Sequence, residues 1–199
     1  MEKISAILQK YIGAIGIAVF VLLVVYALGM ATPAYPLREY MDMYNPDDTT
    51  VSEFYTAIMP YNDKIIYFGI PGIVFCVLHG VLRSDKRKIY YVSNFVWDVI
   101  YIVFAIASAI VTLSAISYYQ NAWNQLDFTT INEYFEMFDM TPMSGKTSVF
   151  ALGYVVVGIL LLSTIPVALV LIGKIIGRVN YEKANKKSAA ADTKVSEAK

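Results

Sequence analysis

With a single cysteine, Cys76, the 199-residue chain can close no intrachain disulfide. That excludes the four-helix membrane proteins whose outer loops are held by disulfide bridges, and any outer loop here must be held by packing instead. Histidine is equally scarce. His79 is the only one, and one His with one Cys does not make a zinc site. The sequence also lacks a nucleophile elbow, a glycine-rich phosphate loop, an HExxH helix and paired-cysteine zinc spacing. No Asn-x-Ser/Thr acceptor occurs, which suits a bacterial source. Charge is sparse too, at 16% of residues. These shortages point away from an enzyme and from any bound cofactor or metal.

What remains is apolar. Hydrophobic residues make up 57% of the chain and the mean hydropathy is +0.53, the profile of an integral membrane protein. A helix needs about 20 apolar residues to cross a bilayer. Four runs qualify: Tyr11 to Met30, Ile65 to Leu82, Val92 to Ser117 and Val149 to Ile176. Each is expected to be helical, because lipid offers no partner to an unpaired backbone group. Lys3 and Lys10 before the first run, with Ala-Leu-Gly-Met-Ala after it, have the outline of a cleavable signal. A signal's apolar region runs only about 7–15 residues, so an uncleaved first span is the expectation. Residues 1–10 read as an interfacial lead-in to it.

Net charge is zero but unevenly distributed. Arg83, Lys86, Arg87 and Lys88 face one Asp85 in the short middle connector. The tail carries Lys174, Arg178, Lys183, Lys186, Lys187, Lys194 and Lys199 against Glu182, Asp192 and Glu197. The two longer connectors are acidic: Thr32 to Asp63 has one Arg38 against Glu39, Asp42, Asp47, Asp48, Glu53 and Asp63, and Gln120 to Ser148 has one Lys146 against Asp127, Glu133, Glu136 and Asp139. The Lys/Arg bias puts both termini and the middle connector in the cytoplasm of a plasma membrane, and both acidic loops outside. The basic connector is explained by topology, and no nucleic-acid partner is implied.

Thr49-Thr50-Val51-Ser52-Glu53-Phe54-Tyr55 recurs as Thr129-Thr130-Ile131-Asn132-Glu133-Tyr134-Phe135. Thr50 with Glu53, and Thr130 with Glu133, have capping-box spacing. The apolar residues that follow (Val51, Phe54, Tyr55, Ile58, and then Ile131, Tyr134, Phe135, Phe138) keep helical periodicity. Pro60 and Pro142 then discourage continuation. Each outer loop is therefore expected to hold a short amphipathic helix, and the chain to consist of two similar parallel hairpins. Residues 1–82 form the first hairpin with outer loop 32–63, and 83–89 the basic connector. Residues 90–178 form the second hairpin with outer loop 118–148, and 179–199 a disordered tail, rich in Ala, Lys and Ser. The fold class is an all-α integral membrane protein.

Candidate sites are few. Asp98 lies within the third span, where a carboxylate is costly and takes an interior partner. It reads either as a proton or cation site or as a structural hydrogen-bonding group. Ala18 holds the equivalent place in the first hairpin, which speaks against a symmetric ion site. His79, near the inner end of the second span, joins Asp98 as a candidate intramembrane polar site: it reads as a proton relay or metal ligand or, since it lies nearer the cytoplasm than Asp98 and is a single histidine, as a structural or interfacial residue. Gly69, Pro71 and Gly72, and Ser163, Thr164 and Pro166, mark weak points that serve packing or, in a transporter, a broken-helix site. Asp42, Asp47 and Asp48 lack EF-hand spacing. Glu53, Phe54, Tyr55, Glu133, Tyr134 and Phe135 form a candidate outer interaction surface. The leading functional expectation is a non-enzymatic membrane protein acting by association, with itself or as an accessory subunit. The alternative is a small transporter or channel that uses Asp98.

Overall fold

The computed structural model describes residues 2–31, 50–81, 92–142, 145 and 148–197. They form five helices: α1 (Glu2–Ala31), α2 (Thr50–Val81), α3 (Val92–Asn124), α4 (Phe128–Met137) and α5 (Val149–Glu197). No strand occurs among the described residues. Four helices are long and apolar enough to cross a membrane, with spans at Tyr11–Met30, Glu53–Leu78, Phe95–Asn124 and Val149–Lys187. The chain is an all-helical, multi-pass membrane protein.

The four long helices close into a ring. α1 packs on α2, α2 on α3, α3 on α5, and α5 back on α1. Each buries a seam that alternates steps of three and four residues, as in Ile12, Gly16, Val19, Leu23, Tyr26 and Met30 of α1. This spacing keeps one stripe facing a partner helix along its whole length. Where the helices approach closely, glycine makes room. A Cβ on Gly72 would overlap the Phe20 ring, and one on Gly153 would overlap the Tyr26 hydroxyl and come within 2.7 Å of Ile116. The faces turned away from the bundle carry exposed apolar side chains such as Val25, Ile110 and Leu162, as lipid contact requires.

Two expectations about the connections are corrected. The first repeated motif does not form a separate loop helix. Thr50 starts α2, which runs without interruption through Pro60 and Pro71 to Val81. Tertiary packing overrides the local stop signal: Ile58, Asn62 and Ile65 are completely buried on one seam, and Tyr61 stacks on Tyr118 at 4.1 Å. Membrane helices tolerate such prolines when neighbouring helices fix the backbone. The second correction concerns the tail. Instead of disorder from residue 179, α5 continues to Glu197, because its Ala, Lys and Glu residues are strong helix formers. The acidic segment with Asp42, Asp47 and Asp48, and the basic connector 83–89, lie outside the described residues.

The second motif does stand on a helix of its own, α4. Its N-cap lies three residues before Thr130, the cap that the Thr130–Glu133 spacing suggests. Asp127 is the N-cap, and its Oδ1 accepts from the backbone N–H of Thr129 at 3.0 Å and of Thr130 at 3.3 Å. Thr130 Oγ1 donates to Asp127 Oδ2 at 2.8 Å. A carboxylate with two acceptor oxygens satisfies more orphan donors than a threonine hydroxyl can. The far end closes with Met140 N–H on Phe135 O at 2.8 Å and Asp139 N–H on Glu136 O at 3.3 Å. Asp139 takes the left-handed conformation, φ 55°, that this Schellman closure needs.

Candidate functional site

Asp98 is the expected oddity, and its surroundings define the site. It lies on the buried seam of α3 and is fully enclosed. Lys174 of α5 donates from Nζ to Asp98 Oδ2 at 2.7 Å, and their side chains are 2% and 0% exposed respectively. Both residues make further polar or electrostatic contacts. Removing two charges from water costs several kcal/mol per ion, so such a pair persists only with close geometry and additional partners. By sequence Lys174 belongs with the tail cations, and nothing local connects it with Asp98. The available signal was that Lys174 falls inside the fourth apolar run, so a cation and an acid stood at the same end of two neighbouring spans.

One turn further along α3, Tyr101 and the hydroxyl of Ser163 are 2.7 Å apart. Ser163 Oγ donates to Leu160 O at 2.6 Å, so the tyrosine O–H donates to the serine. Ser108 and Thr112 continue the seam, but each donates to a carbonyl of its own helix, Phe104 and Ser108, at 2.8 Å. Near the end carrying α4, Tyr119 O–H donates to Asn62 Oδ1. The Asn62 Nδ2 and the Tyr26 hydroxyl, both buried, have no hydrogen-bond partner among the described residues. Turning the Asn62 amide would leave an unpaired acceptor in place of the unpaired donor. Polar groups thus occupy both ends of the bundle interior, with small residues such as Ala105 and Ala109 between them. The ion pair and the Tyr101–Ser163 bond both tie α3 to α5.

His79 falls in the last turns of α2, and its side chain lies outside the described residues. Among the described residues no three His, Cys, Asp or Glu side chains gather to hold a metal ion. Cys76 is buried against the Gly16 backbone of α1.

The candidate outer surface is corrected residue by residue. Phe54, Tyr134 and Phe135 are buried, Tyr55 is half-buried, and only Glu53 and Glu133 face outward. The apolar face of each motif is consumed by the core. Phe54 meets Trp123 at 5.6 Å between ring centroids, and Trp123 in turn meets Phe128 at 5.4 Å and Phe150 at 6.2 Å. Trp123 Nε1 donates to Gly145 O at 2.7 Å. The exposed apolar pair on this side is Met137, 75% exposed, and Phe138, 54% exposed. Exposed Glu133, Glu136 and Asp139 flank it. The Asp127 carboxyl is held below the usual range by the Thr130 hydroxyl and by the backbone N–H groups of Thr130 and Thr129.

No protein-family model matches the chain, and no curated protein or solved structure matches it either.

Proposed function

We propose that this protein acts by association within the membrane, as a homo-oligomer or as an accessory subunit of a larger complex, and not by catalysis. The observation that carries this reading is the outward face of α4 and its C-terminal turn. There Met137 and Phe138 stand exposed beside Glu133, Glu136 and Asp139, while the same helix spends its other apolar face on the bundle. An adjacent pair of large apolar side chains rimmed by carboxylates suits a partner surface that is apolar at its centre and basic at its edge. The Lys/Arg bias supports a plasma-membrane orientation with cytoplasmic termini and α4 outside, and the missing Asn-x-Ser/Thr acceptor supports a bacterial source. The recurrence of the Thr-Thr and Glu positions supports descent of the two hairpins from one, related by an axis along the membrane normal.

Purification in mild detergent followed by mass measurement tests the reading. A species heavier than the 22.2 kDa chain is expected, and Met137→Ser with Phe138→Ser should release the bound copy or subunit. A stable monomer with nothing co-purifying would end it.

One observation favours a second reading, a small transporter or channel. Asp98 sits on a seam that also carries Tyr101, Ser108, Thr112 and Tyr119, and intramembrane acids of this kind serve proton or cation pathways. On this reading Asp98→Asn abolishes a flux measurable in proteoliposomes. Absence of flux from the wild-type protein removes it.

A further inference from the structure

The surface of α5 changes character within about one turn. Ile172, Ile175, Ile176 and Val179 are exposed apolar side chains. From Glu182 onward the exposed residues include Glu182, Lys183, Lys186 and Lys187. Tyr181, 54% exposed, stands at the changeover, where amphipathic rings settle in a bilayer. A change from exposed apolar to charged side chains with a tyrosine between them is the pattern of headgroup depth. Here α3 and α5 leave a groove of about 330 Å³ lined by Phe95, Ile175, Arg178, Val179 and Glu182. It opens one turn beyond the Asp98–Lys174 pair. Three lining residues are apolar. The other two pair with each other: Arg178 Nε donates to Glu182 Oε1 at 2.9 Å. The terminal amino groups of Arg178 make no hydrogen bond among the described residues. A guanidinium with these donors available binds a phosphate oxygen well.

We propose that the groove holds an anionic phospholipid, with its phosphate on Arg178 and the start of an acyl chain along Phe95, Ile175 and Val179. The occupant follows from charge and place. Within the groove Arg178 and Glu182 balance; the net positive charge of this helix end comes from exposed Lys183, Lys186 and Lys187, of which Lys186 shares the side of Arg178, and a basic helix end at a membrane surface favours anionic over zwitterionic lipid. The apolar wall gives the chain a path that a water-soluble phosphate does not need. The site is independent of the association reading, since it requires only that the helices cross the bilayer.

The full-length protein, delipidated in detergent, is offered equal amounts of phosphatidylglycerol and phosphatidylcholine, and retained lipid is counted by native mass spectrometry. Phosphatidylglycerol is expected to dominate. Arg178→Gln should reduce its retention about tenfold, and Val179→Trp, which fills the groove from a lipid-facing position, should displace it. Inorganic phosphate at millimolar concentration should not compete. Equal retention of both lipids, wild-type retention by both variants, or displacement by inorganic phosphate alone would each overturn the proposal. Circular dichroism of the two variants confirms that they remain folded.

Discussion

Replacing Lys174 by Met leaves the Asp98 carboxylate sealed in the bundle without its cation. At 2.7 Å and an effective dielectric constant of about 20, the direct attraction is roughly 6 kcal/mol. Desolvating the two ions costs several kcal/mol each. The net value of the intact pair is therefore small, while the cost of breaking it is large. Either Lys174→Met or Asp98→Leu alone should destabilise the bundle by about 3–5 kcal/mol, whereas the double variant should fall near wild type or above it. For a chain of this size, melting in detergent should drop by roughly 6–20 °C in each single variant and recover in the double. Circular dichroism at a helical wavelength reads this directly. The reasoning fails if Lys174→Met melts with the wild type, or if the double variant melts no higher than the worse single one. A cycle of this kind isolates the coupling between α3 and α5 from the effects of each side chain alone.

Three further outcomes follow from local geometry. Gly72→Ala forces a methyl into the Phe20 ring and should cost about 1–3 kcal/mol, whereas Gly158→Ala, with no neighbour within 4 Å, should stabilise the helix by about 0.5–1 kcal/mol; equal melting points would refute the contrast. Asp139→Gly relieves a left-handed backbone at φ 55° and should raise the melting point, by an amount worth a few tenths to about 1 kcal/mol; a lower melting point would mean that the carboxylate itself holds the turn. Because folding depresses the Asp127 pKa, its cap is at full strength above the ordinary aspartate value of about 3.9 and is lost as pH falls through the depressed one. Amide protection in the first turn of α4, corrected for the intrinsic exchange rate at each pH, should therefore fall selectively in acid, an effect that Asp127→Ala abolishes by leaving the turn equally unprotected at neutral pH.

Much of the architecture was legible because hydropathy integrates over long windows. A run of apolar residues long enough to cross lipid has few alternatives, and a single exception such as Asp98 stands out against it. The periodicity of the second motif also names three of the four face residues correctly, since Ile131, Tyr134 and Phe135 are the buried residues of α4 while Phe138 stands exposed past its end. What the pattern could not say was what covers that face. By pattern alone it suits an outer surface for a partner, whereas in the structure the bundle itself covers it. Pro60 shows the same limit from the other side. A proline weakens a helix locally, but Asn62 is held by Tyr119 of α3 and Ile58 and Ile65 are buried in the bundle beside it, contacts that a local reading cannot weigh.

Composition and charge pattern alone determined that this chain forms helices, that four of them suit a bilayer, and that one carboxylate lies among apolar neighbours. These properties depend on residues close together along the chain. The partner of that carboxylate, the path of α2 through its prolines and the apolar pair left facing outward were decided only when the helices assembled. Lys174 is 76 residues from Asp98, and bringing two such side chains within bonding distance depends on the rotation and register of whole helices. Those are set by the sum of many seam contacts, such as Gly72 against Phe20 and Gly153 against Tyr26, and no single stretch of sequence carries that sum.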